Sequence, residues 1–183
     1  MQDYANYEKI KEEKIDGKIY LMAAPCNEHR DVQANMLSIF NDYFKKNKKR
    51  CVSRFDADLY IDENNYFEPD IMVFCYNTNK DIPLIVVEVL SKSTRDLDLG
   101  KKMKKYAEIG IKEYWIVTWE LFTLDIYLLG DDQKYEHYKS YAYVKSEKFT
   151  RRHDEKIEVV KEFSPVSMPE VTVKLEDVFY FVE

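Results

Sequence analysis

The chain has few cysteines, glycines and prolines. Its 183 residues include three cysteines, four glycines and five prolines. Cys26, Cys51 and Cys75 are odd in number and lack a CxxC spacing, so we expect neither a disulfide framework nor a zinc knot, and a reducing cytoplasm is the simplest setting. The scarcity of glycine and proline leaves little room for a long linker, which favours a single domain over residues 1–183.

Long apolar runs and an excess of positive charge are also missing. No run approaches membrane-spanning length, and the N-terminal residues lack the apolar segment of a signal peptide, so no membrane association is expected. The net charge of −6 argues against a surface coated in basic residues for nucleic acid, although it is compatible with a local basic cleft. The sequence contains no phosphate-binding glycine loop, nucleophile elbow or dinucleotide fingerprint, so no organic cofactor is expected.

One apolar segment carries a carboxylate at its centre. Residues 83–90 read PLIVVEVL, which is typical of a strand buried on both faces, with Glu88 inside it. An unpaired ionised carboxylate at such a position costs several kcal/mol, so Glu88 needs a cation or must stay protonated. A buried salt bridge to a lysine or arginine is the alternative to a functional role.

A second apolar run precedes this strand. Residues 70–75 (DIMVFC) and 83–90 flank a turn-like polar segment, and a hairpin centred on Asn79 sets Asp70 opposite Glu88, nine positions away on either side. Like charges facing each other destabilise a sheet, and a divalent cation between them reverses that effect. The pair therefore predicts a site for Mg²⁺ or Mn²⁺, which prefer carboxylate oxygens. Taken alone, Asp70 also fits a common Pro-Asp strand entry.

A helix is predicted over residues 97–109, ending at Gly110. Lys102 shares an arc with Leu99, Tyr106 and Ile109, whereas the other lysines of the segment fall on the solvated arc. Lys102 is therefore expected to turn towards the sheet, where an ammonium offsets charge developing on a phosphate. The structural alternative is an ion pair with Asp98, four residues earlier.

The remaining elements complete a mixed α/β pattern. A helix is predicted over residues 27–46, with Asn27 as its N-cap, and residues 12–18 read as a helix end followed by a turn at Asp16-Gly17. Further strands are predicted at residues 18–24, 51–61, 113–118, 123–129, 135–144 and 168–175, with a charged, exposed segment at 145–162. The fold class is therefore α/β, a mixed sheet flanked by helices.

Several of these segments also carry a family resemblance. They are FEPD at 67–70, VEVLS at 87–91, the series Asp98, Lys102, Tyr106, Gly110-Ile111 and EYWIV at 113–117. Together they resemble the Uma-type restriction endonuclease family, within the PD-(D/E)XK nuclease superfamily. The resemblance runs from about Glu13 to the C-terminus and includes EKIDG at 13–17, His29 and MPEV at 168–171. In the superfamily's usual pattern a lysine stands two residues after the second acid, and in this sequence that position is occupied by Leu90.

The resemblance implies a restriction-endonuclease-like fold and a metal-dependent endonuclease that hydrolyses phosphodiester bonds of DNA. Asp70 and Glu88 would hold Mg²⁺ (or Mn²⁺), with the lysine role moved to Lys102. Glu13 would be an additional acid; the alternative is one solvated charge among its neighbours. The rival function is an inactive nuclease-fold module that binds nucleic acid or a partner.

Three further features carry weaker expectations. A homodimer is expected, because cutting both strands of a duplex requires two sites. His29 could act as a base, but a lone helix histidine is more often structural or solvent-facing. The basic cluster Lys45, Lys46, Lys48, Lys49 and Arg50 could touch phosphates, or it could be a solvated helix end favoured by the helix dipole.

Overall fold

A mixed six-stranded sheet forms the centre of the molecule. The computed structural model describes residues 11–76, 82–91, 94–144 and 160–182. Its strands are β1 (Glu12–Ile15), β2 (Lys18–Leu21), β3 (Cys51–Arg54), β4 (Leu59–Asp62), β5 (Asn65–Phe67), β6 (Ile71–Cys75), β7 (Ile85–Val89), β8 (Glu113–Thr118), β9 (Thr123–Leu129), β10 (Tyr135–Ala142), β11 (Glu162–Phe163) and β12 (Val173–Lys174). The helices are α1 (Asn27–Lys46), a π-helical segment (Leu97–Lys102), α2 (Met103–Glu108), a 3₁₀ turn (Trp119–Leu121) and α3 (Leu175–Val178).

The central sheet has the strand order β10-β9-β8-β7-β6-β3. Strands β7 and β8 run parallel, and the other neighbours in this sheet are antiparallel. Parallel strands need a crossover connection, and the π-helical segment with α2 supplies it. A four-stranded antiparallel sheet of order β2-β1-β5-β4 and the small pair β11-β12 complete the folded part. The α/β expectation is confirmed as a mixed α+β fold.

The inner strands β6, β7 and β8 of the central sheet are buried on both faces, which explains their apolar sequences. One face packs against α1 through residues such as Val32, Met36 and Phe40. The other face contacts Tyr106 of α2 and Phe67 of the small sheet. Because side chains alternate along a strand, β7 sends Ile85, Val87 and Val89 to the α1 side and turns Glu88 to the α2 side.

The predicted hairpin register is confirmed. Ile71 pairs with Val87 and Val73 pairs with Ile85, so continuing the ladder by one residue sets Asp70 opposite Glu88. The turn that contains Asn79 lies outside the described residues. The register alone is enough to bring the two carboxylates to neighbouring strands.

The predicted crossover helix is present but is wound differently at its start. Its first six residues are π-helical, and its end is marked by Gly110 at φ 85°. Lys102 is buried, as expected, whereas Leu99 is 37 % exposed and Asp98 is buried instead. The expected arc was wrong at Leu99 because a π-helical turn takes more residues than an α-helical one.

The N-terminal segment was predicted wrongly as a helix end. Residues 12–15 form strand β1, which pairs with β2 through a tight turn at Asp16 (φ 52°) and Gly17 (φ 77°). This turn was predicted, and positive φ at both central residues matches the twist of a two-residue hairpin. In β1 the inward positions are Glu13 and Ile15.

Other boundaries differ in smaller ways. Helix α1 spans the predicted residues, but Cys26 stands at its N-cap position in place of Asn27. The expected strand 51–61 is split into β3 and β4, and only Val173–Lys174 of the expected strand 168–175 is extended, before α3 begins. Strand β5 was not predicted, and most of the charged segment 145–162 lies outside the described residues.

A disulfide corrects the expectation from the cysteine count. Cys51 of β3 and Cys75 of β6 are directly paired across the sheet, and their sulfur atoms are bonded. Cys26 remains a free, exposed thiol. An odd total does not prevent two of three cysteines from pairing, and the argument for a reducing cytoplasm therefore fails.

Two other expectations concern the whole chain. In the described ranges, no helix is long and apolar enough to cross a membrane. The assignment of residues 1–183 to one domain stays a prediction, as does the cytoplasmic location.

We expect the disulfide to be detectable and stabilising. Alkylation of the unfolded, unreduced protein should label one cysteine, Cys26, and prior reduction should expose all three, as counted by mass spectrometry. Cys75→Ser should lower the free energy of unfolding by about 2–4 kcal/mol, since the bond closes a loop of 24 residues. Cys26→Ala is the matched control and should leave stability nearly unchanged, because Cys26 makes no side-chain capping hydrogen bond at the N-cap of α1. Labelling of three thiols without reductant would contradict the pairing.

Candidate active site

Glu88 is held inside the fold by two donors on the crossover helix. It is 3 % exposed, and its Oε1 lies 2.7 Å from Lys102 Nζ and accepts a 2.7 Å hydrogen bond from the Tyr106 hydroxyl. Lys102 and Tyr106 are four residues apart and therefore share one side of the helix. The crossover between β7 and β8 thus sets a cation and a hydroxyl above the carboxylate of β7.

Lys102 lies among three carboxylates. Its Nζ is 3.0 Å from Glu13 Oε1, 2.7 Å from Glu88 Oε1 and 3.1 Å from Asp98 Oδ1, and the residue is 3 % exposed. All three carboxylates lie within ion-pair distance of the ammonium, although Asp98 Oδ1 accepts no hydrogen bond among the described residues. The structural alternatives for Glu88 and Lys102, a buried salt bridge and a pair with Asp98, are both present in the fold.

Glu13 belongs to this cluster. It is 1 % exposed, which rules out the alternative of a solvated charge. Its Oε1 accepts hydrogen bonds from Lys102 Nζ and from the Glu68 backbone N–H at 3.0 Å. Its Oε2 is buried and has no hydrogen-bond donor among the described residues. A buried carboxylate oxygen without a donor is an acceptor that a cation could satisfy.

Asp70 lies beside Glu88 but has a separate set of partners. Its Oδ2 accepts the backbone N–H of Val89 at 2.8 Å, and its own N–H points to Glu88 Oε2 at 3.4 Å. Its Oδ1 lies 3.1 Å from His29 Nε2 and 3.2 Å from Gln33 Nε2. Lys11 Nζ is 3.8 Å from the same oxygen.

His29 and Gln33 are the site residues that the sequence indicated least. They are four residues apart on α1 and are buried with Val32, Met36 and Phe40 on the face that covers the sheet. Two polar side chains in that apolar face were the signal that could have identified them. The other histidines do not add to the site: His137 is exposed near Asp125 and Ser140, and His153 lies outside the described residues.

The basic cluster lies far from the carboxylates. Lys45 and Lys46 end the helix that begins beside His29, and a rise of 1.5 Å per residue separates the two ends by roughly 25 Å. Lys49 pairs with Glu170 at 2.9 Å. This cluster therefore does not form the rim of the site.

Burial and charge shift the two central acids in opposite directions. Burial, together with the carboxylates of Asp98, Asp70 and Glu13, raises the pKa of Glu88 to about 8 against the opposing charge of Lys102. The pKa of Asp70 is lowered below its ordinary value. Burial raises this pKa, but the hydrogen bond from His29 and the nearby positive charges together lower it by more. Near neutral pH, Asp70 is ionised and Glu88 is close to its titration point.

Lys102 and Tyr106 keep their protons. Burial lowers the pKa of Lys102, but its three carboxylate neighbours outweigh burial and raise it well above the ordinary value. Burial and the neighbouring carboxylates raise the pKa of Tyr106. Lys102 is therefore a fixed cation, and Tyr106 is a neutral donor to Glu88.

A cavity opens above this cluster at the carboxyl ends of β7 and β8. Its volume is about 340 Å³. It is lined by the acidic cluster, by residues 22–26 between β2 and α1, and by Trp119. The acidic cluster consists of Glu13, Asp70, Glu88, Asp98 and Lys102. In sheets with parallel strands, ligands bind at the carboxyl ends of the strands, and this cavity has that location.

The donor set fits a hard divalent cation. Asp70 and Glu88 offer carboxylate oxygens on neighbouring strands, and Glu13 Oε2 is a buried acceptor without a donor among the described residues. In the same part of the chain, no three His, Cys, Asp or Glu side chains converge on one point. Asp70 and Glu88 would therefore act as a pair, with water and phosphate oxygens as the other ligands.

Comparison with known proteins places the chain among nuclease-like proteins. The Uma2 family model, described as "Putative restriction endonuclease", matches residues 1–155. The uncharacterized protein slr1290 of Synechocystis sp. is 28 % identical over 142 residues, which cover 72 % of this chain and 74 % of that protein. The crystal structure of a "putative nuclease belonging to DUF820" from Anabaena variabilis superposes with a TM-score of 0.67 at 18 % identity. That match covers 94 % of this chain and 91 % of the other and shows that the fold is shared.

We expect the metal-free protein to lose stability as the pH rises from about 5 to about 8. The folded state retains the proton of Glu88 in this window, where the unfolded state releases it, so the free energy of unfolding falls with pH. The lowered pKa of Asp70 affects the free energy of unfolding only at pH values below this range. Glu88→Gln should flatten the slope, measured by urea unfolding in EDTA at several pH values.

The matched control is Glu108→Gln, an exposed change on the same crossover helix. It should keep the wild-type slope. An unchanged slope in Glu88→Gln would contradict the assignment of the proton to Glu88.

Proposed function

The chain belongs to the Uma2 family, and we propose that it is a divalent-metal-dependent endonuclease that hydrolyses phosphodiester bonds of DNA. The observation that carries the proposal is the meeting of Asp70 and Glu88 beside the buried Lys102 at the base of a cavity. The fold shared with a protein described as a "putative nuclease" supports it.

Asp70 and Glu88 would hold Mg²⁺ or Mn²⁺. When bound, such an ion lowers the pKa of a coordinated water and neutralises charge on the scissile phosphate. Asp70 is suited to this role because it is ionised and because His29, Gln33 and the Val89 N–H fix its carboxylate. Glu88 must first lose its proton, so activity is expected to increase towards pH 8.

Lys102 would act as the positive charge that faces the phosphate. In the described arrangement its ammonium lies within ion-pair distance of Glu13, Glu88 and Asp98. It can donate to a phosphate oxygen only when one of these carboxylates turns away. Until then it keeps Glu88 and Glu13 oriented and offsets their mutual repulsion.

Glu13 has two possible roles within this proposal. Its Oε1 anchors Lys102, and its Oε2 is the buried acceptor without a donor in the described part of the chain. The first role is positional, and the second would add an outer ligand to the ion or to its water.

One observation favours the rival function, an inactive nuclease-fold module that binds nucleic acid or a partner. The contacts of Lys102 with three carboxylates balance its charge inside the protein without a substrate. In that case Asp70 and Glu88 could be replaced without loss of binding. Dimerisation also stays a prediction, and light scattering would test it.

We expect Mn²⁺ or Mg²⁺ to support cleavage of DNA and EDTA to abolish it. Asp70→Asn and Glu88→Gln should each remove cleavage, because each removes a negative metal ligand. Mn²⁺ should also raise the melting temperature of the wild type by mass action, and both variants should lose most of this shift. Cleavage at the wild-type rate in either variant, across plasmid and branched substrates, would contradict the proposal.

A second expectation separates Lys102 from its exposed neighbours. Lys102→Met should reduce kcat by about 100-fold or more, since the ammonium acts on the transition state. The Mn²⁺ dependence should change by much less, because Lys102 only orients the ligand Glu88 and is not itself a ligand. Lys101→Met is the matched control, because Lys101 is exposed and pairs with Asp16. Equal losses in both variants would indicate a diffuse phosphate-binding patch instead.

A further inference from the structure

The residues that line the cavity fall into two groups of different chemistry. We call the cluster around Lys102 the acidic wall and the group Met22, Ala23, Ala24, Pro25 and Trp119, next to which Cys26 and Glu120 also line the cavity, the apolar wall. The phosphodiester chemistry proposed above uses only the acidic wall. The apolar wall is therefore available to the part of the substrate next to the scissile phosphate.

The cations that line this cavity are already paired. Within the described residues they are Lys11 and Lys102. Lys11 Nζ lies 3.7 Å from Asp56 and 3.8 Å from Asp70, and His29 faces Asp70. Proteins that grip a duplex do so through many lysine and arginine contacts to phosphates, and this cavity offers no spare cation among the described residues for such contacts.

The size of the cavity also limits its occupant. A volume of about 340 Å³ lies at the lower end of the range for small-molecule sites and suits a group of about one nucleotide. A base that is still paired and stacked in a duplex cannot enter it without leaving the helix. A base in a single strand or at a branch point enters without that cost.

Trp119 is the aromatic side chain on the apolar wall. It follows β8 directly, in the 3₁₀ turn, and packs against the core while remaining partly exposed. Trp115, the other tryptophan, is fully buried and donates its indole N–H to Glu113. Trp119 thus lies at the carboxyl end of the sheet and lines the same cavity as Glu88.

We propose that the site takes a single-stranded segment of DNA, with one unpaired base stacked on Trp119 and the adjoining phosphate at Asp70 and Glu88. This inference rests on the proposed function and specifies its substrate class. Stacking on an aromatic side chain is tolerant of sequence because every base has a π face. The binding energy would then come from the base, which compensates for the absence of a spare cation among the described residues that line the cavity.

Two binding measurements test the proposal. A single-stranded oligothymidylate of about 12 nucleotides, in buffer with Ca²⁺, should quench the fluorescence of Trp119, and the same strand in a duplex with oligoadenylate should quench it much less. In fluorescence anisotropy with the labelled single strand, Trp119→Leu should weaken binding by at least about fivefold. Trp119→Phe, which keeps an aromatic face, should lose much less.

Leu121→Ala is the matched surface control, because Leu121 is 68 % exposed two residues away and does not line the cavity. It should bind the single strand as the wild type does. Equal affinity for duplex and single strand, or wild-type binding by a folded Trp119→Leu, would overturn the inference. If the protein cleaves duplex DNA and replacement of Trp119 has no effect, the proposed nuclease function stands and the single-strand inference fails. If binding depends on Trp119 but no DNA is cleaved, the single-strand inference stands and the nuclease function fails.

Discussion

The site depends on one buried ammonium surrounded by carboxylates. Lys102 is the cation that Glu13, Glu88 and Asp98 share, and those three acids come from β1, β7 and the crossover helix. Removing a charge from such a network is costly, because the opposite charges stay buried without a partner. The packing of β1, β7 and the crossover helix against one another therefore depends on the positive charge of Lys102, which is also the group that would face a substrate phosphate.

Asp70 is positioned by other means, and this division gives the two central acids different properties. Its neighbours on α1 and the Val89 N–H stabilise the ionised form, whereas burial among other acids favours the protonated form of Glu88. Two carboxylates on adjacent strands thus differ in protonation near neutral pH. Such a difference is common where a site needs one fixed ligand and one group that exchanges a proton for another cation.

The sequence was sufficient for the parts of the fold that follow from local patterns. The register between β6 and β7 followed from symmetry about Asn79, and the burial of Lys102 followed from helical spacing. What failed depended on contacts distant in sequence. The sequence left open whether Glu13 was a site acid or a solvated charge, because its burial depends on the pairing of β1 with β5. His29 had no visible partner until α1 crossed Asp70. The Cys51–Cys75 bond required strand pairing that the cysteine count could not reveal.

The disulfide has a consequence for the alignment of the strands. Cys51 and Cys75 are opposed residues of β3 and β6, at the end of β6 remote from Asp70. A slip of one residue in β6 would turn every side chain of that strand to the other face and would remove Asp70 from its place beside Glu88. The covalent bond between opposed residues excludes a slip of β6 against β3, its neighbour at the edge of the sheet. The strand that Asp70 immediately precedes is therefore aligned covalently on one side, while its pairing with β7 on the other side depends on hydrogen bonds and packing alone.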